Sequence, residues 1–224
     1  MFKEITRLFS SDDLLSQALD TCHEMLDIDL EMFKESKNSL RELDTAEIPI
    51  DIYAMDQKIN SFERDVRRNV MTHLAVSGAN DISSGLVMVS VVIDIERIGD
   101  YTKNIYDLAV NHPKRLEAKS FESNLKDIEV NTLELLTSTI EAFKNQDSSL
   151  ASKLMKDYKT EISSKCDEIT NTIISSPDNE LDTASATAVA LYSRYLKRVS
   201  AHSRNLISSI VNPFDRIGYP QKKS

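Results

Sequence analysis

The sequence predicts an all-α protein, and three observations carry that prediction. Only four glycines and five prolines serve 224 residues. Many short strands need many turns, so that supply is too meagre for an all-β fold. Apolar residues recur at i, i+3, i+4 and i+7 through nearly the whole chain, the period of helices packed on one side. The interruptions fall at cap and breaker residues spaced for six long helices, in two halves of three.

The first helix starts at "SSDDLLSQALD", where Ser10 and Ser11 are candidate N-caps and two Asp fall in the first turn. Its core stripe is Leu15, Ala18, Cys22, Met25 and Phe33. Pro49 breaks the chain and suits the first turn of a second helix, which carries Ile52, Met55, Ile59, Phe62, Val66 and Val70. "SGAND" is the next loop, with Asn80 or Asp81 as cap of a third helix that stops before His112–Pro113. A fourth helix runs from about Phe121 to Phe143 on Leu125, Ile128, Leu133, Leu136 and Ile140. A fifth is predicted through Leu154, Tyr158, Ile162, Cys166, Ile169 and Ile173. The sixth spans about Thr183 to Val211, before Pro213. Spans of this length are typical of antiparallel bundles.

An offset of 101 places Arg97 on Arg198 and Asn104 on Asn205, each near the end of a third helix just before a proline. This points to an internal duplication, with residues 1–116 as the first three-helix bundle and 117–224 as a second, degenerate one.

Bulk properties narrow the function. Net charge is −9 and the pI is near 5.0, which argues against nucleic acid, whose phosphates demand a basic surface. Cys22 and Cys166 sit in helical patterns and read as buried reduced thiols, not a disulfide framework. The N-terminus lacks the apolar core of a secretory signal, and the longest apolar run, residues 86 to 93, is far short of the roughly 20 residues that span a bilayer. A cytoplasmic protein is expected.

"DIERIGDYTKNI", residues 94 to 105, follows directly on the apolar "GLVMVSVVI". On a helix, Glu96, Asp100 and Asn104 form one line. Extended backward, that line passes Val92 and close to Val89 and Ile93, so it continues a surface expected to be buried one turn earlier. Like charges at i and i+4 cost a few tenths of a kcal/mol on an open helix and more when partly buried. Arg97 points about 100° away and is better placed for Asp94 or Tyr101. A bound hard cation such as Mg²⁺, Mn²⁺ or iron is one answer. Pairing with Lys103, or with a lysine of another helix, is the other.

"LVMVSVVIDIERIGDYTKNIYDLA" resembles the signature helix of the PhoU family of phosphate-uptake regulators, through Ile95, Glu96, Arg97, Ile98, Gly99, Asp100, Asn104 and Ile105. "MDQKINSFERDVRRNVMTHLA" is similar to the family's second helix at Asp56, Ile59, Asn60 and Glu63, and "RYLKRVSAHSRNLI" resembles the repeat copy at Arg198, His202 and Asn205. The resemblance implies two tandem three-helix bundles. It further implies a cytosolic adaptor without catalysis, acting between a phosphate ABC transporter ATPase and a sensor histidine kinase and peripheral to the membrane through them. By the same resemblance it is expected to restrain phosphate uptake and the starvation response when phosphate is plentiful. Some members bind multinuclear metal clusters at an E(D)xxxD motif in each half. Here that motif is Glu96 to Asp100, with Asp56 and Glu63 as helpers from the adjacent helix, for a divalent or iron cation. The second copy has Lys197 and Ala201 where the acids should stand, so that half is expected to stay empty. The oligomeric state is left open, a homodimer included.

Other patterns weigh less. Asp20, Glu24, Asp27 and Glu31 read as a solvated face. No phosphate-binding loop, dinucleotide fingerprint or nucleophile elbow is present. No Glu precedes any of the four histidines by three residues, which excludes a di-iron carboxylate enzyme. The competing reading is a helical scaffold, or a metal-binding protein, with no phosphate role.

Overall fold

The computed structural model describes residues 14–77, 79–158, 162–175 and 180–221. Among them there are helices and turns and no strand. In chain order the helices are α1 (Leu14–Glu42), α2 (Ile52–Ser77), α3 (Ile82–Asn111), α4 (Glu122–Asn145), α5 (Ser148–Tyr158), α6 (Ser164–Ser175) and α7 (Thr183–Val211). α1, α2 and α3 pack on one another. α4, α5, α6 and α7 repeat the plan, with α5 and α6 in the place of a single middle helix. Residues 159–161, between those two, lie outside the described residues, as do the expected caps Ser10 and Ser11.

Caps decide several boundaries. Pro49 lies ahead of α2 rather than in its first turn. Asp51 caps that helix, its carboxylate accepting from the Ala54 N–H at 3.0 Å. Asp81 precedes α3 but makes no cap bond; its carboxylate is engaged 2.9 Å from His73 Nε2. Gln146 ends α4 in the left-handed conformation, φ 53°. Asp147 then opens α5 by accepting from the N–H groups of Ser149 and Leu150. Asp182 caps α7 through the Ser185 N–H at 2.8 Å.

The stripes read from the sequence form the interior. Leu15, Ala18, Cys22, Met25 and Phe33 are buried, as are Ile59, Val66 and Val70 of α2, Leu125, Ile128 and Leu136 of α4, and Cys166 and Ile169 of α6. Burial pushes the Cys22 and Cys166 thiols up to about 12, so neither is a ready nucleophile.

The halves join along α3 and α7, and the buried apolar residues form one continuous core through that contact. Under the offset of 101, the first residue of α3, Ile82, falls on the first residue of α7, Thr183. The contacts obey the same relation. His202 Nδ1 lies 2.7 Å from Asp94 Oδ1; the equivalent pair, Tyr101 and Tyr195, places its ring centroids 6.1 Å apart. Paired reciprocal contacts of this kind are what a two-fold axis generates, here between two copies in one chain.

Candidate functional site

α1 runs parallel to α3, and α2 antiparallel to both. The register is fixed at two points: Gly85 of α3 lies against Val70 and Leu74 of α2, and Lys103 of α3 reaches Asp56 of α2. That register brings Asp56 and Glu63 of α2 alongside Glu96 and Asp100 of α3. Burial, then Asp100, then Glu63 and Asp56, push the Glu96 carboxyl above its ordinary range, against the pull of Arg97. The four carboxylates expected from the sequence therefore share one groove.

The groove supplies its own cations. Lys103 Nζ lies 3.4 Å from Asp56 Oδ1 and 3.4 Å from Asp100 Oδ1. Although partial burial opposes it, those two acids raise the pKa of the Lys103 ammonium. Arg97 donates to Asp100 Oδ2 at 2.8 Å and lies 3.4 Å from Glu96 Oε2, while Arg67 holds Glu63 at 2.7 Å. The expectation that Arg97 would serve Asp94 or Tyr101 is corrected. One residue rotates 100° around a helix, but a long side chain swings back to i+3. Its repeat equivalent, Arg198, is the residue that meets Tyr101, donating from Nε at 3.2 Å with the guanidinium over the ring.

Asp29, on α1, was not foreseen. It is fully buried beneath the signature motif, and neither carboxylate oxygen has a hydrogen-bond partner among the described residues. Burial, then Glu96 and Asp56, push its carboxyl well above the usual range. The glycine of "ERIGD" makes room for it: a Cβ on Gly99 would stand 2.8 Å from Asp29 Oδ1 and 2.9 Å from Ile59 Cδ1. The signal was in the sequence, since Asp29 stands on the apolar line of Cys22, Met25 and Phe33. The acidic stripe that drew attention on the same helix, Asp20, Glu24, Asp27 and Glu31, is exposed, and Asp27 pairs with Lys144 at 2.6 Å.

In donor chemistry the groove suits a hard cation: every candidate ligand is a carboxylate oxygen, and Asp29 adds two unpaired ones. As the side chains stand, no three His, Cys, Asp or Glu among the described residues converge closely enough to hold a metal ion. Lys103 fills the position between Asp56 and Asp100, so a cation enters there only where that ammonium gives way. In the second half Lys197, the equivalent of Glu96, binds both oxygens of Asp167 at 2.6 and 2.5 Å, an internal ion pair where the first half has an acid.

A polar cluster fastens the two copies together. Asp94 Oδ1 also accepts from Asn205 Nδ2 at 2.9 Å. Arg198 lies 3.0 Å from His202 Nε2. Because a guanidinium only donates, His202 accepts at Nε2 and donates from Nδ1 to Asp94, the neutral tautomer. On the other side of the molecule Arg41 of α1 donates to Glu122 and Glu129 of α4 at 2.6 and 2.7 Å, and to the Leu116 carbonyl.

No described helix is long and apolar enough to cross a membrane. In comparisons with known proteins, a search of the curated proteins finds no match. The crystal structure of PhoU from Pseudomonas aeruginosa is similar in fold, with a TM-score of 0.73 at 20% identity over 88% of this chain and 95% of that one. So is that of the phosphate transport system regulatory protein PhoU from Streptococcus pneumoniae, with a TM-score of 0.71 at 18% identity over 88% and 93%. The sequence model of the PhoU domain matches twice, over residues 22–109 and 125–210, one match to each copy joined at the α3–α7 interface, and on that evidence the chain belongs to the PhoU domain family.

Proposed function

We propose that this protein is a non-enzymatic cytoplasmic regulator of phosphate uptake and phosphate-starvation signalling. It acts as an adaptor on the ATPase of a phosphate ABC transporter, on a sensor histidine kinase, or on both. The observation that carries the proposal is the doubled PhoU domain with the acidic signature face of α3 in the first copy. The name of the structurally similar Streptococcus pneumoniae protein, a phosphate transport system regulatory protein, supports the phosphate assignment. Burial of both cysteines, and titratable groups tied up in ion pairs between helices, suit a protein that binds rather than turns over substrate.

Glu96, Asp100, Asp56 and Glu63 are the residues that would hold a divalent or iron cation, with Asp29 beneath them. Such an ion would supply charge neutralisation and a cross-link between α2 and α3. The chain's own residues already perform a weaker version of that task, with Lys103 tying Asp56 to Asp100 across the same two helices.

The test is to delete the gene and restore it as wild type or as Glu96→Ala with Asp100→Ala, measuring starvation-gene expression in phosphate-rich medium. Deletion should derepress those genes, wild type should silence them, and the double variant should leave them partly on. No effect of deletion defeats the phosphate assignment. Full rescue by the double variant favours a helical scaffold in which the acidic face is dispensable.

A further inference from the structure

One face of α3 changes character halfway along. Ile82, Leu86, Val89 and Ile93 follow one another at helical spacing, and the same line continues into Glu96, Asp100 and Asp107. The line through Val92, Val89 and Ile93 was expected to be buried; Val92 is buried and Val89 partly so, packed against the core, but Ile93 and the residues ahead of it on this face are not. Ile82 is 47% exposed, Leu86 41% and Ile93 38%. The reason is topological: α1, α2 and α7 cover three sides of α3, and among the described residues no helix covers the fourth. Across the groove Met71 of α2, 67% exposed, extends the patch; the Gly85 register sets it level with Leu86. Large apolar side chains gathered in one exposed place mark an interaction surface more often than a solvated face.

We infer that this α2–α3 face binds a helical segment of a partner protein whose apolar stripe is followed, one to two turns on, by Lys or Arg. The apolar residues would cover Leu86, Ile93 and Met71, and the basic ones would reach the acidic end. That end keeps capacity for them. Lys103 is shared between Asp56 and Asp100, Arg97 between Glu96 and Asp100, and among the described residues the Asp107 carboxylate accepts from the Tyr53 hydroxyl alone, at 2.7 Å. Two other occupants fit less well. A second copy laid over the apolar part must set its own acidic part either on this acidic part, opposing like charges, or beyond the contact, where it adds no cation to the ion pairs already there. An anionic membrane would be repelled by a chain of net charge −9. Amphipathic helices docked in a groove are a recurrent mode of recognition, and charge at one end fixes their direction. The inference rests on the adaptor reading above and specifies the contact that reading requires.

The experiment places a photo-crosslinking amino acid, p-benzoylphenylalanine, at Met71, at Ile93 and, as a control, at exposed Ile174 of α6 in the full-length protein in cells. Crosslinked peptides are then sequenced. The expected product from Met71 and Ile93, absent from Ile174, is a partner segment with apolar residues at helical spacing followed by Lys or Arg. Leu86→Glu should abolish the Met71 crosslink while helicity by circular dichroism is unchanged. Crosslinks to a second copy of this chain, to lipid or to an acidic segment, or yields no higher than at Ile174, would overturn the inference. A matching segment from a protein unconnected with phosphate would uphold this inference and defeat the phosphate assignment, so the two fail separately.

Discussion

Replacing Asp29 with Asn isolates the energetic cost of a buried, unpartnered carboxyl. In the folded protein burial, Glu96 and Asp56 all favour the protonated acid, whereas an Asp in the unfolded chain ionises near 3.9. Folding therefore takes up a proton at pH values above that figure. The sign follows from linkage. A carboxyl whose folded pKa is raised contributes stability that is fully present below the unfolded value and is lost as pH rises toward the folded one. Over that window the loss attributable to one carboxyl is about 1.4 kcal/mol per pH unit. Asn has nearly the same shape and no charge. Its unsatisfied amide costs about 1–3 kcal/mol, but that cost does not change with pH, so the slope is the diagnostic and not the stability at any single pH. Urea denaturation followed by circular dichroism, in the presence of chelator, at pH 4.5, 5.5, 6.5 and 7.5 supplies the comparison. The difference between wild type and Asp29→Asn should shift toward the variant by roughly 1–1.4 kcal/mol per unit through the lower part of that range. Parallel profiles would show that Asp29 gains a partner in solution, and the reasoning would be wrong.

Gly99→Ala adds a methyl group 2.8 Å from Asp29 Oδ1. Overpacking of about 1–3 kcal/mol should outweigh the helix-propensity gain of about 1 kcal/mol, giving a net loss in urea titration; a gain would mean that the contact with Asp29 is not there. Asp94→Ala strands the His202 and Asn205 donors at the joint between the copies and should cost about 2–3 kcal/mol. The equivalent test on a half-exposed acid that pairs, among the described residues, only on its own helix, Asp65→Ala, which breaks the 2.7 Å contact with Arg68, should change stability by less than about 0.5 kcal/mol. A thiol reagent should label neither Cys22 nor Cys166 in the native protein and both in denaturant, since burial excludes the reagent and holds both thiols protonated. Rapid native labelling of Cys22 would contradict the packing of α1 on α3.

Helix positions were legible because they depend on periodicity and caps, which are local. Pro49 illustrates the limit: the proline marks a break, but the helix begins where Asp51 can accept a backbone N–H. The duplication was legible at Arg97 and Arg198 as aligned letters. Their different partners, Asp100 in one copy and Tyr101 in the other, were not, because they depend on how α3 crosses α7. The exposed face of α3 was misread for a related reason. Ile82, Leu86 and Ile93 have the composition of a core segment, and they lie at the surface because no fourth helix among the described residues packs on that side of α3. Asp29 is the opposite case, a charge on an apolar line whose significance appears once Gly99 is seen to leave room for it.

Under the proposed function this protein would restrain phosphate uptake. Initial uptake of radiolabelled inorganic phosphate in phosphate-rich medium, compared between the parent strain, the deletion and the restored deletion, tests it most directly. Uptake should rise several-fold in the deletion and return to the parental rate on restoration; equal rates in all three strains would mean that the protein does not restrain phosphate uptake.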